Sequence, residues 1–140
     1  MIVGQHLLIE CRGQHSKLQS DDLNTLMNDA ANAGRANVLA SHFHEFGGHG
    51  GITGVLLLAE SHITVHTWPE IHYAAFDIFM CGHSQAEKAA IVIANLFPED
   101  DVCIKSIDRG LSVGENSGYT LLVPSGKLAQ SENRESAAFI

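Results

Sequence analysis

The stretch Ile52-Thr53-Gly54-Val55-Leu56-Leu57-Leu58-Ala59-Glu60-Ser61-His62-Ile63-Thr64-Val65-His66-Thr67 reads as two strands in succession. Its first half, Ile52 to Ala59, is almost continuously apolar, the mark of a strand covered on both faces. The second half, Ser61 to Thr67, holds Ile63, Thr64 and Val65, β-branched residues that favour extended backbone. Trp68-Pro69-Glu70 closes it, because proline cannot donate to a strand ladder.

Working upstream, Gly47-Gly48-His49-Gly50-Gly51 precedes the pair; glycines at this density permit backbone shapes closed to other residues and a close approach by a ligand. Asn37 to Phe46 is a strand with His42 and His44 on one face and Phe43 on the other. Before it, Ser20 stands as an N-cap with Asp21 and Asp22 in the first turn. Leu23, Leu26, Met27, Ala30 and Ala31 then share one helical face, and Gly34 ends the helix. Gly4 to Cys11, with Leu7-Leu8-Ile9, is the first strand.

Downstream, Ala74 to Cys81 is a strand that holds Asp77 among apolar neighbours. Ser84-Gln85-Ala86-Glu87 has the capping-box pattern. It opens a helix striped by Ala86, Ala89, Ala90, Ile93, Ala94 and Phe97, and Pro98 closes that helix. Val102 to Ile107 is one more strand, Tyr119 to Val123 an apolar patch, and from Gly126 the residues predict a mobile tail. The order β-α-β-β-β-β-α-β predicts an α+β, two-layer architecture of two similar halves, a largely antiparallel sheet with both helices on one face. The other face is then free to pack against a partner, which predicts a homodimer.

The 140 residues fit a single domain, and 45% hydrophobic against 17% charged residues supplies a core and excludes wholesale disorder. A net charge of −8 disfavours nucleic acid as partner. No apolar run approaches the ~20 residues of a membrane span. Met1 to His6 lacks the basic stretch and long apolar segment of a secretory signal. Cys11, Cys81 and Cys103 are an odd number without C-x-x-C spacing, which points to a reducing, cytoplasmic compartment.

The chemistry concentrates in Glu60-Ser61-His62 and His66-Thr67-Trp68-Pro69-Glu70. Taken on the residues alone, three readings stand. A metal site on His62 and His66 is disfavoured, because positions i and i+4 of a strand lie about 13 Å apart. The H-E-x-x-H arrangement is also absent, and no metal is expected. A serine hydrolase built on Ser61 lacks the G-x-S-x-G elbow. The third reading takes the histidines as ordinary strand residues.

The Glu60-Ser61-His62 and His66-Thr67-Trp68-Pro69-Glu70 blocks, with Tyr73-Ala74-Ala75, Asp77 and Cys81-Gly82, resemble the short prokaryotic form of S-adenosylmethionine decarboxylase. The resemblance runs from Gly4 to about Gly110 within a single domain of residues 1–125, and leaves residues 126–140 as the tail. Members of that family are proenzymes of polyamine synthesis that cleave themselves at a Glu-Ser bond. The resemblance implies scission between Glu60 and Ser61, into residues 1–60 (beta chain) and 61–140 (alpha chain). Ser61 would then become a covalent pyruvoyl cofactor that holds the substrate amine as a Schiff base, the electron sink for loss of carbon dioxide. A strained turn at the scissile bond would suit this rearrangement, because a relaxed planar amide resists attack.

By the same resemblance His66 accepts a proton during processing, which an imidazole is suited to do near neutrality. Cys81 is the proton donor to the decarboxylated carbon, while Cys11 and Cys103 are ordinary thiols. Glu70 faces the substrate ribose, where a carboxylate can accept two hydrogen bonds. Phe46 stacks on the adenine, unless it simply packs in the core, and Thr53 places a small hydroxyl near the active site. Trp68 is a packing residue. The product would serve as aminopropyl donor for spermidine synthesis. The loop Gly47 to Gly51 departs from the family's usual one and is longer. This keeps arginine or ornithine open as the substrate on the same scaffold; a non-catalytic partner subunit is the alternative from another class.

Overall fold

The computed structural model describes residues 3–110, 118–124 and 137–140. Its elements follow in the order β1 Gly4–Arg12, α1 Ser20–Ala33, β2 Val38–Glu45, β3 Ile52–Leu58, β4 Ser61–Trp68, β5 Tyr73–Cys81, α2 Ala86–Asn95, β6 Asp101–Arg109, β7 Tyr119–Val123 and β8 Ala137–Phe139. One-turn 3-10 helices lie at Gln14–Lys17, before α1, and at Pro69–Ile71, between β4 and β5. The strands form one sheet in the order β2-β3-β4-β5-β1-β6-β7-β8, antiparallel throughout except for the parallel pair β7–β8. This is the α+β, largely antiparallel architecture that the sequence predicts. No described helix is long and apolar enough to cross a membrane.

Alternation along the strands decides where the core sits. Leu7, Ile9 and Cys11 of β1, Leu56 of β3, Ile63 and Val65 of β4, and Phe76 and Ile78 of β5 are fully buried on one sheet face. Leu23, Met27, Ala30 and Ala31 of α1 and Ala89, Ala90, Ile93 and Ala94 of α2 cover that face. Burial of each large side chain stabilises the fold by roughly 1.5–3 kcal/mol.

Among the described residues, no helix lies on the opposite face. There Leu57, inside the continuous apolar run, is 50% exposed, so within one chain β3 is covered on one face only. His6 and Asp77 also meet on this open face, with Nε2 and Oδ2 3.7 Å apart. Burial lowers the pKa of His6 from its usual value, and the carboxylate of Asp77 opposes that shift.

Both helix starts differ from the capping patterns in the sequence. The capping positions of α1 and α2 are Gln19 and Gln85, and neither makes a side-chain cap. Ser20 Oγ instead donates to Oε1 of Glu45 at 2.6 Å. The entry to α2 is fixed by the backbone, with Gln85 N–H donating to the Gly34 carbonyl at 2.8 Å. The expected tail from Gly126 ends in structure: Ala137–Phe139 pairs with β7, and residues 125–136 lie outside the described residues.

Candidate active site

The residues singled out in the sequence gather at opposite ends of β4. At its start, Leu58 pairs with Ser61, so that Ala59 and Glu60 alone make the turn from β3. Ala59 N–H donates to the Asn37 carbonyl at 2.9 Å, and Glu60 is left-handed with φ 59°. That conformation crowds a side chain against its own carbonyl at a cost of about 1–2 kcal/mol. The residue before Ser61 thus holds a backbone conformation unfavourable to a side chain.

Cys81, at the end of β5, closes the group. Its Sγ donates to the Glu60 carbonyl oxygen at 3.3 Å, and lies 3.9 Å from Ser61 Oγ and 4.0 Å from Glu60 Oε2. A nucleophilic hydroxyl, a carbonyl and a thiol donor thus converge on one peptide bond.

The second group occupies the other end. His66 and Thr53 are cross-strand partners on the open face, with Thr53 Oγ1 and His66 Nδ1 hydrogen-bonded at 3.0 Å. Together with Phe46 and Trp68 they line a cavity of about 330 Å³. Phe46 is 53% exposed, which removes core packing as its role; the edge of His44 meets its ring at 4.7 Å. Trp68 stacks on Tyr73 at 5.3 Å and is 40% exposed. Tyr73 in turn donates to Glu10 at 2.8 Å; burial first, then this bond, pushes its phenol up to about 12.

A second cavity, of about 650 Å³, adjoins the first across Phe46 and Gly51 and is lined by Lys17, Glu45 and Glu70. Gly51 permits this juncture, because a Cβ there would collide with the Thr67 carbonyl. Lys17 and Glu45 carried no motif. The alternation that places His44 on a face identifies His44, but nothing local signals Lys17.

The structure brings Glu60, Ser61 and Cys81 together, and separately Phe46, Thr53 and His66, with Glu70 in the adjoining cavity. It does not bring Ser61 to His66. Five strand positions separate them, roughly 16 Å, and the odd difference turns their side chains to opposite faces.

A sequence profile described as S-adenosylmethionine decarboxylase matches residues 5–110. The chain belongs to the S-adenosylmethionine decarboxylase family. Among its relatives, the S-adenosylmethionine decarboxylase proenzyme of Hydrogenobaculum sp. (strain Y04AAS1) is 39% identical over 123 residues, 86% of this chain and 90% of that protein. The proenzyme of the same name from Pyrococcus abyssi is 35% identical over 130 residues, 90% of this chain and 93% of the relative. The crystal structure of the adenosylmethionine decarboxylase from Aquifex aeolicus superposes with a TM-score of 0.70 at 29% identity, covering 84% of this chain and 98% of that one. The matched span, residues 5–110, includes both groups of residues just described.

Proposed function

We propose that this chain is a self-cleaving, pyruvoyl-dependent decarboxylase of S-adenosylmethionine. The observation that carries the reading is the cluster around Glu60–Ser61: a left-handed residue, a hydroxyl and a thiol donor on one peptide bond. Ser61 Oγ attacks the Glu60 carbonyl carbon, the C–N bond breaks, and the amide becomes an ester with a free amine at Ser61. Loss of the Ser61 Cα proton expels the Glu60 carboxylate by β-elimination. Water then replaces the nitrogen at Cα, ammonia leaves, and a pyruvoyl group remains at position 61 of an 80-residue chain. The residue at the breaking bond is a serine, as this group requires. When formed, the pyruvoyl group supplies an electron sink for decarboxylation.

The chain's own residues bind and move protons. Cys81 holds the Glu60 carbonyl through its thiol, polarising it for attack, and afterwards donates a proton to the product carbon. Phe46 offers its exposed face to the adenine, and Glu70 accepts from the ribose hydroxyls. Thr53 orients His66, the proton acceptor in processing. Because His66 lies about 16 Å from Ser61 within one chain, the reading requires a homodimer. Two copies joined through the open face would set the His66 end of one against the Ser61 end of the other. The half-exposed apolar side chains Leu57, Phe46 and Trp68 support that packing. The product would feed spermidine synthesis in the cytoplasm.

Gel electrophoresis and mass spectrometry of the purified protein test the reading. Expected are fragments of 60 and 80 residues, the larger beginning with pyruvoyl, and carbon dioxide release from S-adenosylmethionine but not from arginine or ornithine. An active protein with an intact chain or an unmodified Ser61 overturns the proposal, and release from arginine or ornithine alone overturns its substrate.

A further inference from the structure

The connection between β1 and α1 is tied down more firmly than a surface loop needs. His15 within it is fully buried. Its backbone N–H and its ring Nδ1 meet Asp100 Oδ2 at 2.9 and 2.8 Å, and its Nε2 meets the Ile93 carbonyl at 2.7 Å. Both ring nitrogens are thus held by oxygen atoms, one of a carboxyl group and one of a backbone carbonyl. The ring sits against the last turn of α2, which holds Ile93. Gly13 makes the approach possible: its φ is +135°, and a Cβ there would collide with Asp100.

From this anchor the segment reaches twice to the turn that carries Glu70. Gly13 N–H donates to the His72 carbonyl at 3.0 Å, and Lys17 Nζ donates to the Pro69 carbonyl at 2.8 Å. The Pro69 carbonyl also accepts from His72 N–H at 3.2 Å, closing the turn on itself. Glu70 therefore lies between two residues that are both fastened to the Gly13–Lys17 segment. Lys17 and Glu70 line the same cavity.

We propose that Lys17 is a positioning residue: through the Pro69 carbonyl it fixes the turn Pro69–His72, and so the direction in which Glu70 presents its carboxylate to the substrate ribose. The inference rests on the role of Glu70 proposed above. In this role Lys17 acts through the Pro69 carbonyl and not on the reacting bond, so its loss weakens binding and leaves chemistry and self-cleavage in place.

The test uses full-length, self-processed protein with Lys17→Ala, Lys17→Met, Lys17→Arg, Glu70→Gln and the double variant Lys17→Ala/Glu70→Gln. Self-cleavage, kcat and KM for S-adenosylmethionine, and discrimination against its 3′-deoxyribose analogue are measured. Lys17→Ala and Lys17→Met should cleave normally, keep kcat within about two-fold, and raise KM about five-fold, the range of one lost hydrogen bond. Both should lose part of the ribose discrimination. Lys17→Arg, which restores a donor, should recover KM and discrimination, and the double variant should be no worse than Glu70→Gln alone. If Glu70→Gln is impaired while the Lys17 variants bind normally, or if the two losses add, the inference fails and the Glu70 role survives. If Glu70→Gln changes neither KM nor discrimination, that role fails and the inference falls with it. Loss of self-cleavage in both Lys17→Ala and Lys17→Met would make Lys17 a folding residue and also overturn it.

Discussion

Cys81 Sγ donates to the carbonyl oxygen of Glu60 at 3.3 Å, so the thiol assigned to the decarboxylation step already touches the bond that must break first. In the proposed function one side chain would thereby serve two reactions in sequence. Cys81→Ala should slow self-cleavage several-fold, by one lost hydrogen bond to the attacked carbonyl. Once cleaved, it should turn over about 100-fold more slowly than wild type for want of a proton donor. Time-resolved gels and carbon dioxide release read the two effects separately; a cleaved Cys81→Ala protein of normal turnover would exclude the second role.

The left-handed Glu60 supplies a second prediction. Glycine adopts φ near 59° without the Cβ clash, so Glu60→Gly should relax the precursor. In a Ser61→Ala background, which blocks cleavage, Glu60→Gly should raise stability by about 1 kcal/mol in denaturant titration. In the Ser61 protein the same change should slow cleavage, because less strain is released on reaching the transition state. Unchanged stability and cleavage would mean that the turn stores nothing the reaction uses.

Separation of Ser61 from His66 predicts complementation. Cys81→Ala and Glu70→Ala chains, each impaired alone, should regain activity when co-expressed. In a two-fold dimer, mixed pairs hold one site with both side chains intact, and random pairing gives about a quarter of wild-type activity. Absence of recovery in demonstrated mixed dimers would count against a shared site.

Acid stability should depend on Asp100. Burial of this carboxyl raises its pKa, but the backbone N–H groups of Gln14 and His15 and the His15 ring outweigh that and hold it below 3.8. The unfolded chain therefore takes up the proton first as pH falls. The stabilisation is whole above the ordinary carboxylate range and is lost as pH drops through the folded value. Asp100→Asn, which removes the carboxylate that the Gln14 and His15 backbone and the His15 ring hold, should cost about 1–3 kcal/mol at pH 7 and should flatten the decline below pH 4. Urea titrations at pH 7, 4 and 3 measure both; parallel curves for the two proteins would refute the assignment.

The sheet was legible because alternation and β-branching along β3 to β5 are local signals, and the two helices because their apolar stripes are. The helix starts were not, since a backbone bond from Gln85 to Gly34 fixes the second one without a capping side chain. β8 was missed because three residues form a strand only against a distant parallel neighbour. The chemical residues could be named from the Glu60–Ser61 and His66–Glu70 blocks, yet their division into two groups went unread. The strand arithmetic that separates His62 from His66 also separates Ser61 from His66. Lys17 was silent because its partner, Pro69, lies 52 positions away.

β1 runs between β5 and β6, and β3 runs beside β4. Cutting the chain at position 60 would therefore leave two polypeptides woven through each other, the shorter one gripped along both edges of its first strand. The scission would behave as a ratchet: neither piece could drift away without unravelling the whole fabric, and a pyruvoyl end, having no amine, could not re-form the peptide bond.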